Sequence, residues 1–327
     1  MDGSILLSLI GIIAALCLLV VLIMKGVNIF IVALLCSSIV ALTGGLNLYE
    51  GLKVNYMTSF VNFFKSNFLI FLTGTIMGKA YEITNGAKSI AKLIVDKSGP
   101  NMALISIPLA CGIISYGGVS VFVASFAVFP IALEVFRQAD YPRKFIPGAL
   151  TFGCSTWAMV APGAPQIHNA VPAQVLGTDL MAGSVNEFIS CAVILLLGSF
   201  ILIKTVNNAR NRGEGFVPKP MDVFHDDAIY PSGYLALIPL FFTLFLINFK
   251  VGGTPILPLE FGVFIGALAV IILLNKYQDN GKLIHHLGEA CKQSVVSISN
   301  TCAVVGFGGV VQASLAFPTI INAMVSI

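Results

Sequence analysis

The chain has 327 residues, of which 57% are hydrophobic and 10% charged, with a net charge of +3 and a mean hydropathy of +0.93. Soluble domains carry about 25% charged residues, so this is the composition of an integral membrane protein, and the small charge spread over loops gives no footprint for nucleic acid. The seven cysteines lie in or beside apolar runs without CxxC spacing and the four histidines have no HExxH frame, so no metal, cofactor or enzyme chemistry is expected.

Ile5–Met24 runs about 20 residues without a charge, enough to cross a bilayer as a helix. No Lys or Arg precedes it and no small-residue cleavage site follows before Lys25, so it reads as a span and not as a signal peptide. A second helix is expected over Ile29–Leu46, ended by Gly44-Gly45. Phe60–Ser66 mixes aromatics with Asn62 and Lys65 and reads as interfacial. A third helix starts near Phe68 and runs to a wet end carrying Lys79, Glu82, Lys88, Lys92 and Lys97, and Pro100 opens the next segment. Two apolar arms, Met102–Ile114 and Val119–Val135, then flank Ser115-Tyr116-Gly117-Gly118-Val119-Ser120. Cations at both ends, Lys97 before and Arg137, Arg143 and Lys144 after, put both ends on the cytoplasmic side. The arms, about 101–136, form either an ordinary helix pair or a re-entrant hairpin whose tip stops inside the membrane. The short polar tip favours the hairpin.

Between Phe145 and Asn169 an apolar helix breaks itself. Ala161-Pro162-Gly163-Ala164-Pro165-Gln166-Ile167-His168-Asn169 holds two prolines and a glycine that cannot continue a helix, since proline lacks a donor and clashes with the preceding turn. Unwound backbone survives at membrane depth only against protein or a watery cavity, so a broken helix over about 145–180 is a candidate substrate or ion site; a surface loop is the bland alternative. Gln174–Ser184 connects to a helix over Phe188–Ile203. Val206–Pro231, with Pro218, Pro220, Asp222, Asp226 and Asp227, is the longest polar stretch and reads as a cytoplasmic linker.

After the linker the pattern begins again. Helices over Leu235–Phe249 and Phe261–Leu274 match the first two at an offset of about 232 residues, Ser66-Asn67 falls opposite Ser299-Asn300, and Gly74 lies near the counterpart of Gly306. Lys25 follows the first helix, whereas the basic linker precedes the helix over Leu235–Phe249, so the two repeats enter the membrane from opposite sides. The expected fold is an all-α integral membrane protein with inverted repeats: residues 1–205, a linker over 206–231, and a partial second repeat over 232–327. The second hairpin and broken helix have no counterpart before Ile327, so the chain reads as truncated by roughly 110 residues.

Three stretches carry a family resemblance. The run from Gly112 through Ser115-Tyr116-Gly117-Gly118 to Val123, the run Phe126–Pro130 followed by Arg137 and Pro142–Gly148, and the segment Ala161–Asn169 resemble the gluconate permease family of proton symporters. The resemblance implies a bacterial cytoplasmic-membrane transporter for gluconate or related sugar and hydroxy acids. It further implies inverted repeats that each hold one hairpin and one broken helix, elevator-like movement, and a homodimer in membrane lipid. Protons are the implied coupling ion in preference to Na+. A membrane fragment without activity, inert or structural, is the alternative.

Within this frame Ser115, Tyr116, Gly117, Gly118 and Ser120 would offer hydroxyls and backbone N–H groups to a carboxylate, or else form a helix-packing turn. Thr151, Ser155 and Thr156, at one-turn spacing, suit either substrate hydroxyls or interhelical bonds. Pro162, Gly163, Gln166 and Asn169 complete the substrate-binding set, and His168 is the proton-coupling candidate, with an interfacial histidine as the alternative. Glu82 and Glu134 read as solvated charges and Glu187 as a further possible proton carrier. Ser299-Asn300-Thr301 resembles a motif of carboxylate symporters but falls where a helix start, with its N-cap, is expected.

Overall fold

The computed structural model describes residues 3–98, 102–119, 121–219, 229–251, 254–278 and 282–325. The described chain is helical almost throughout. Helix α1, Gly3–Met24, is about 33 Å long and matches a hydrocarbon core of about 30 Å. Asn28 accepts from Phe30 N–H and starts α2, Ile29–Thr43, which stops three residues short of the expected Leu46 because Gly44 closes it. Asn47 caps a turn at Leu48–Glu50, and a π turn at Gly51–Tyr56 leads straight into α3, Met57–Ile83. The expected interfacial segment Phe60–Ser66 is therefore interior to α3, and no helix starts at Phe68. Nothing between Met57 and Ile83 breaks a helix, so Asn62 and Lys65 are carried along it.

Asn85, in the left-handed conformation at φ 52°, turns the chain into α4, Gly86–Ser98. The expected wet end is thus two elements, with α4 burying Ala87, Ile90 and Ala91 and exposing Lys92 and Lys97. Helices α5, Ala103–Tyr116, and α6, Val121–Gln138, are the two apolar arms. A 3-10 turn at Arg143–Phe145 precedes α7, Ile146–Phe152. A π turn at Gly153–Trp157 and one further turn, Ala158–Val160, follow. The helix then breaks over residues 161–166 and resumes as α8, Ile167–Leu176, closed by Gly177 at φ 64°. Helix α9, Ser184–Asn211, overruns both its expected ends and consumes the first residues of the expected linker. Pro100, Pro220, Asp222, Asp226 and Asp227 lie outside the described residues. Helix α10, Gly233–Asn248, is joined to α11, Leu259–Leu273, through an antiparallel ladder of β1, Lys250–Val251, and β2, Thr254–Pro255. Last come α12, Leu283–Ala313, and α13, Phe317–Val325. Ser299-Asn300-Thr301 lies inside α12 and caps nothing; the Thr301 hydroxyl donates back to Ser297 O at 3.1 Å.

The chain divides into two compact units, Met1–Phe71 with Gln293–Ile327, and Leu72–Lys292. In the first, Gly11 lets α2 close on α1: a Cβ there would stand 1.9 Å from Thr43 Oγ1. Ile12, Val32, Cys36, Val40, Tyr56 and Phe307 form the centre of its core. The corner between α12 and α13 rests on this pair, with Leu315 N–H donating to Gly44 O at 3.2 Å and Ala316 N–H to Ser8 Oγ at 3.2 Å.

The second unit holds α4 to α11. Its largest fully buried side chains include Tyr81, Phe136, Ile107, Ile114 and Leu240, and the buried Tyr81 hydroxyl donates to Ala236 O at 2.9 Å. Along α1, α9 and α10 large apolar side chains remain open to the outside, among them Ile10, Leu196 and Phe241. In a bilayer that exposure faces lipid. Among the described residues four helices, Gly3–Met24, Leu48–Ile83 counted with its π turn, Ser184–Asn211 and Leu283–Ala313, are long and apolar enough to cross a membrane.

Glycine contacts yield a test of this packing. A Cβ at Gly153 would stand 2.3 Å from Pro108 O, a backbone atom that cannot rotate away, whereas one at Gly74 would meet nothing within 4 Å. Gly153→Ala is expected to destabilise the protein in detergent by about 1–3 kcal/mol. Gly74→Ala, inside α3, should be neutral or stabilise by up to about 1 kcal/mol. Thermal denaturation of the two variants side by side checks both.

Candidate functional site

The site is built from the hairpin tip and the helix break, both in the second unit. Helix α5 ends at Tyr116, and the tip turns through Gly117 and Gly118. Gly118 adopts φ 95° and its N–H donates to Ser115 O at 2.9 Å. A Cβ on Gly117 would stand 2.0 Å from Leu240 Cγ, and one on Gly118 3.0 Å from Pro165 Cγ and 3.7 Å from Met77 Sδ. The tip therefore lies inside protein, against α10, α3 and the break.

The break frees backbone carbonyls, and side chains from three other elements take them up. The Tyr116 hydroxyl donates to Pro162 O at 2.8 Å, and Asn248 Nδ2, at the end of α10, donates to Gly163 O at 3.0 Å. Asn169 Nδ2, on the first turn of α8, reaches both Ala161 O and Ala164 O at 3.4 Å. Gly163 N–H, at φ 74°, donates to Leu180 O at 2.9 Å. Gln166 fastens the break to the tip: its side-chain N–H groups point at Ser115 O, at Ser115 Oγ (3.1 Å) and at Val119 O (3.4 Å). The Ser115 hydroxyl donates in turn to Cys154 O at 3.3 Å.

Of the residues expected from sequence, Ser115, Tyr116, Gly117, Gly118, Pro162, Gly163, Gln166 and Asn169 converge here, with Ser115, Pro162, Gly163 and Gln166 buried. Ser120 lies outside the described residues. Thr151, Ser155 and Thr156 straddle the start of the π turn at Gly153–Trp157. Thr151 is exposed and the Thr156 hydroxyl donates to Phe152 O. Ser155 is half-buried and has no hydrogen-bond partner among the described residues. His168 is exposed on the first turn of α8. Among the described residues no cluster of His, Cys, Asp or Glu is arranged for a metal ion. Glu82 and Glu134 sit in surface ion pairs with Lys79 at 2.6 Å and Arg137 at 2.7 Å, as solvated charges do. Glu187 keeps one carboxylate oxygen buried without a donor among the described residues.

Asn248 escapes the reading of the sequence. Its Nδ2 faces two carbonyls, Gly163 O and Leu244 O at 3.1 Å, so the amide has one acceptable orientation. That orientation leaves Oδ1 buried with no donor among the described residues. A polar residue at the end of an otherwise apolar helix is the signal that would have flagged it. Beside it, Lys250 pairs with Asp179 at 2.6 Å and Met181 N–H donates to the same carboxylate at 2.7 Å. The Lys250 ammonium, first, and the Met181 N–H hold the Asp179 carboxyl below its ordinary range.

Loss of the latch should be costly. Gln166→Leu takes its donor from the buried Val119 carbonyl, while Ser115 O keeps Gly118 N–H, and is expected to cost about 1–3 kcal/mol, against about 1 kcal/mol for Tyr116→Phe; chemical denaturation in detergent measures both. A carboxyl with a lowered pKa stabilises above its ordinary value, and that contribution disappears as pH falls through the lowered one. Protection of the 178–183 loop from proteolysis should thus exceed that of Asp179→Asn at neutral pH, and the two should converge once the pH has fallen through the lowered Asp179 pKa.

No family model matches the chain. It is similar to the uncharacterized transporter YxjC of Bacillus subtilis, 30% identical over 298 residues, covering 79% of this chain and 62% of that protein. It is also similar to an uncharacterized transporter of Haemophilus influenzae, 28% identical over 219 residues, covering 65% of this chain and 50% of that protein. The chain thus spans between half and two thirds of the length of these curated relatives, and what it resembles are uncharacterized transporters.

Proposed function

We propose that the chain is a secondary transporter that moves a small organic anion, gluconate or a related sugar or hydroxy acid, by proton symport with elevator-like alternating access. One observation carries this reading: a helix break capped from three other elements lies against a glycine-rich hairpin tip. Unwound backbone held this way is where secondary transporters bind cargo. The similarity to two uncharacterized transporters supports transport itself and leaves the cargo to be determined. Ser155 and the Oδ1 of Asn248 are groups without a hydrogen-bond partner among the described residues, and a hydroxylated anion would match them. The first turn of α8, directly after the break, supplies partial positive charge without a formal cation, and His168 on that turn is the proposed proton carrier.

The architecture proposed with this function is a re-entrant hairpin and two inverted repeats, assembled as a homodimer in the bacterial cytoplasmic membrane. Helix α5, at 14 residues, is about 21 Å long, short of a 30 Å core, which supports the re-entrant form. Element order supports the repeats: α1, α2, α3 and α4 recur as α10, α11, α12 and α13 at an offset of about 230 residues. So does an exchange of corners. In one unit a Cβ on Gly45, just after α2, would meet Leu315 Cδ1 at 2.7 Å. In the other a Cβ on Gly86, at the α3–α4 corner, would meet Leu274 Cδ1, just after α11, at 2.9 Å. Each corner rests on the first helix pair of the opposite repeat, with leucine and glycine trading places.

A second reading, an inactive or structural membrane fragment, is motivated by the coverage of 62% and 50% of the two relatives. Uptake of labelled gluconate into proteoliposomes under an inward proton gradient separates the two. The transporter reading expects gradient-dependent accumulation that Gly118→Val abolishes while the protein still inserts. Full uptake by Gly118→Val would remove the hairpin tip from the site. Absence of uptake for gluconate and a panel of hydroxy acids would leave the second reading standing.

A further inference from the structure

Glu187 stands on the first turn of α9, outside the substrate-binding set and outside the surface ion pairs. A first-turn glutamate ordinarily turns to the free N–H groups of its own helix. Here the N–H groups of Ser184 and Glu187 are taken by Met181 O at 3.1 Å and Gly183 O at 2.9 Å. The side chain folds back on Gly183, where a Cβ would stand 2.9 Å from Glu187 Oε1. Oε2 is buried and has no donor among the described residues. Its neighbours Val185, Phe188 and Ile189 are apolar and open to the outside. From Val185 to Lys204 α9 rises about 30 Å, the thickness of a hydrocarbon core, so Glu187 lies just inside the edge away from Lys204 and Arg210.

Two contacts set this carboxyl beside the break. A Cβ on Gly163 would stand 2.8 Å from Met181 Sδ, and one on Gly198 would strike the Phe152 ring. Helix α9 therefore returns antiparallel along the broken helix, and counting back equally from the Phe152 contact brings Glu187 level with Gly163. The break itself bears no charge. Asp179 in the adjoining loop is taken by Lys250 at 2.6 Å, His168 is exposed on α8, the Tyr116 hydroxyl donates to Pro162 O, and Cys191 follows one turn on along α9. Among the described residues no cation pairs with Glu187. An anion at the break would meet an uncompensated like charge where the dielectric is low. A proton on Glu187 removes that repulsion, so proton and anion each tighten the binding of the other. We propose that Glu187 is a proton-binding residue of the symport: its carboxylate takes up one proton with each anion and ionises again once the anion has left. The assignment rests on the transporter reading above and adds to His168 a group whose charge opposes the cargo.

Labelled gluconate and proteoliposomes of the full chain test this in two modes. One is accumulation under an inward proton gradient; the other is counterflow against preloaded gluconate without a gradient, which needs no net movement of protons. Glu187→Gln, nearly isosteric, is expected to lose accumulation while its counterflow stays within about twofold of the unaltered chain. Glu187→Asp should restore accumulation with a displaced pH profile, and Glu134→Gln, which touches a surface pair, should keep both modes. Accumulation that survives Glu187→Gln would overturn the proposal and leave the proton to His168. Loss of both modes in Glu187→Gln, in protein that inserts normally, would overturn it by making the side chain a support of the anion site. An unaltered chain without counterflow for gluconate or the hydroxy-acid panel would overturn the transporter reading itself, and this assignment with it.

Discussion

A backbone carbonyl buried in protein has no water to turn to, and the arrangement around residues 161–166 follows from that one fact. Each carbonyl left unbonded in a membrane costs several kcal/mol, and the Pro-Gly-Ala-Pro segment frees several at once. Tyr116, Asn169 and Asn248 answer them from α5, α8 and α10, and Gln166 returns the favour by bonding the carbonyls of the hairpin tip. Break and tip thereby satisfy one another, and neither geometry would survive without its partner.

Close approach is what makes this mutual capping possible. Gly117 and Gly153 place backbone against Leu240 and Pro108 at distances that no Cβ would permit. Small residues let helices come together where no hydrophobic effect drives them, because lipid tails are as apolar as leucine. The same device operates in the other unit, where Gly11 receives Thr43. Packing density in this protein is thus set by absent side chains as much as by present ones.

The sequence discloses this structure unevenly, for identifiable reasons. The charge-free run of α1 fixes its length almost to the residue, and the prolines and glycine at 162–165 mark the break because their restrictions are local and steric. Phe60–Ser66 misleads because aromatics with Asn62 and Lys65 look like a membrane surface, although a 27-residue helix carries such residues without interruption. The π turns at Gly51–Tyr56 and Gly153–Trp157 leave no compositional mark, since any residue fits an i→i+5 turn. Asn248 is hidden for a different reason: its role depends on a partner 85 positions away in the chain, and periodicity carries no information over such a span.

That separation also bears on how the molecule comes into being. The carbonyl of Gly163 is synthesised long before Asn248, and the Ala236 carbonyl that receives Tyr81 lies 155 positions beyond it. A nascent chain threaded into the membrane as far as α9 holds the hairpin and the break but lacks one of the groups that cap them. The order of translation therefore makes α10 the element that seals the break.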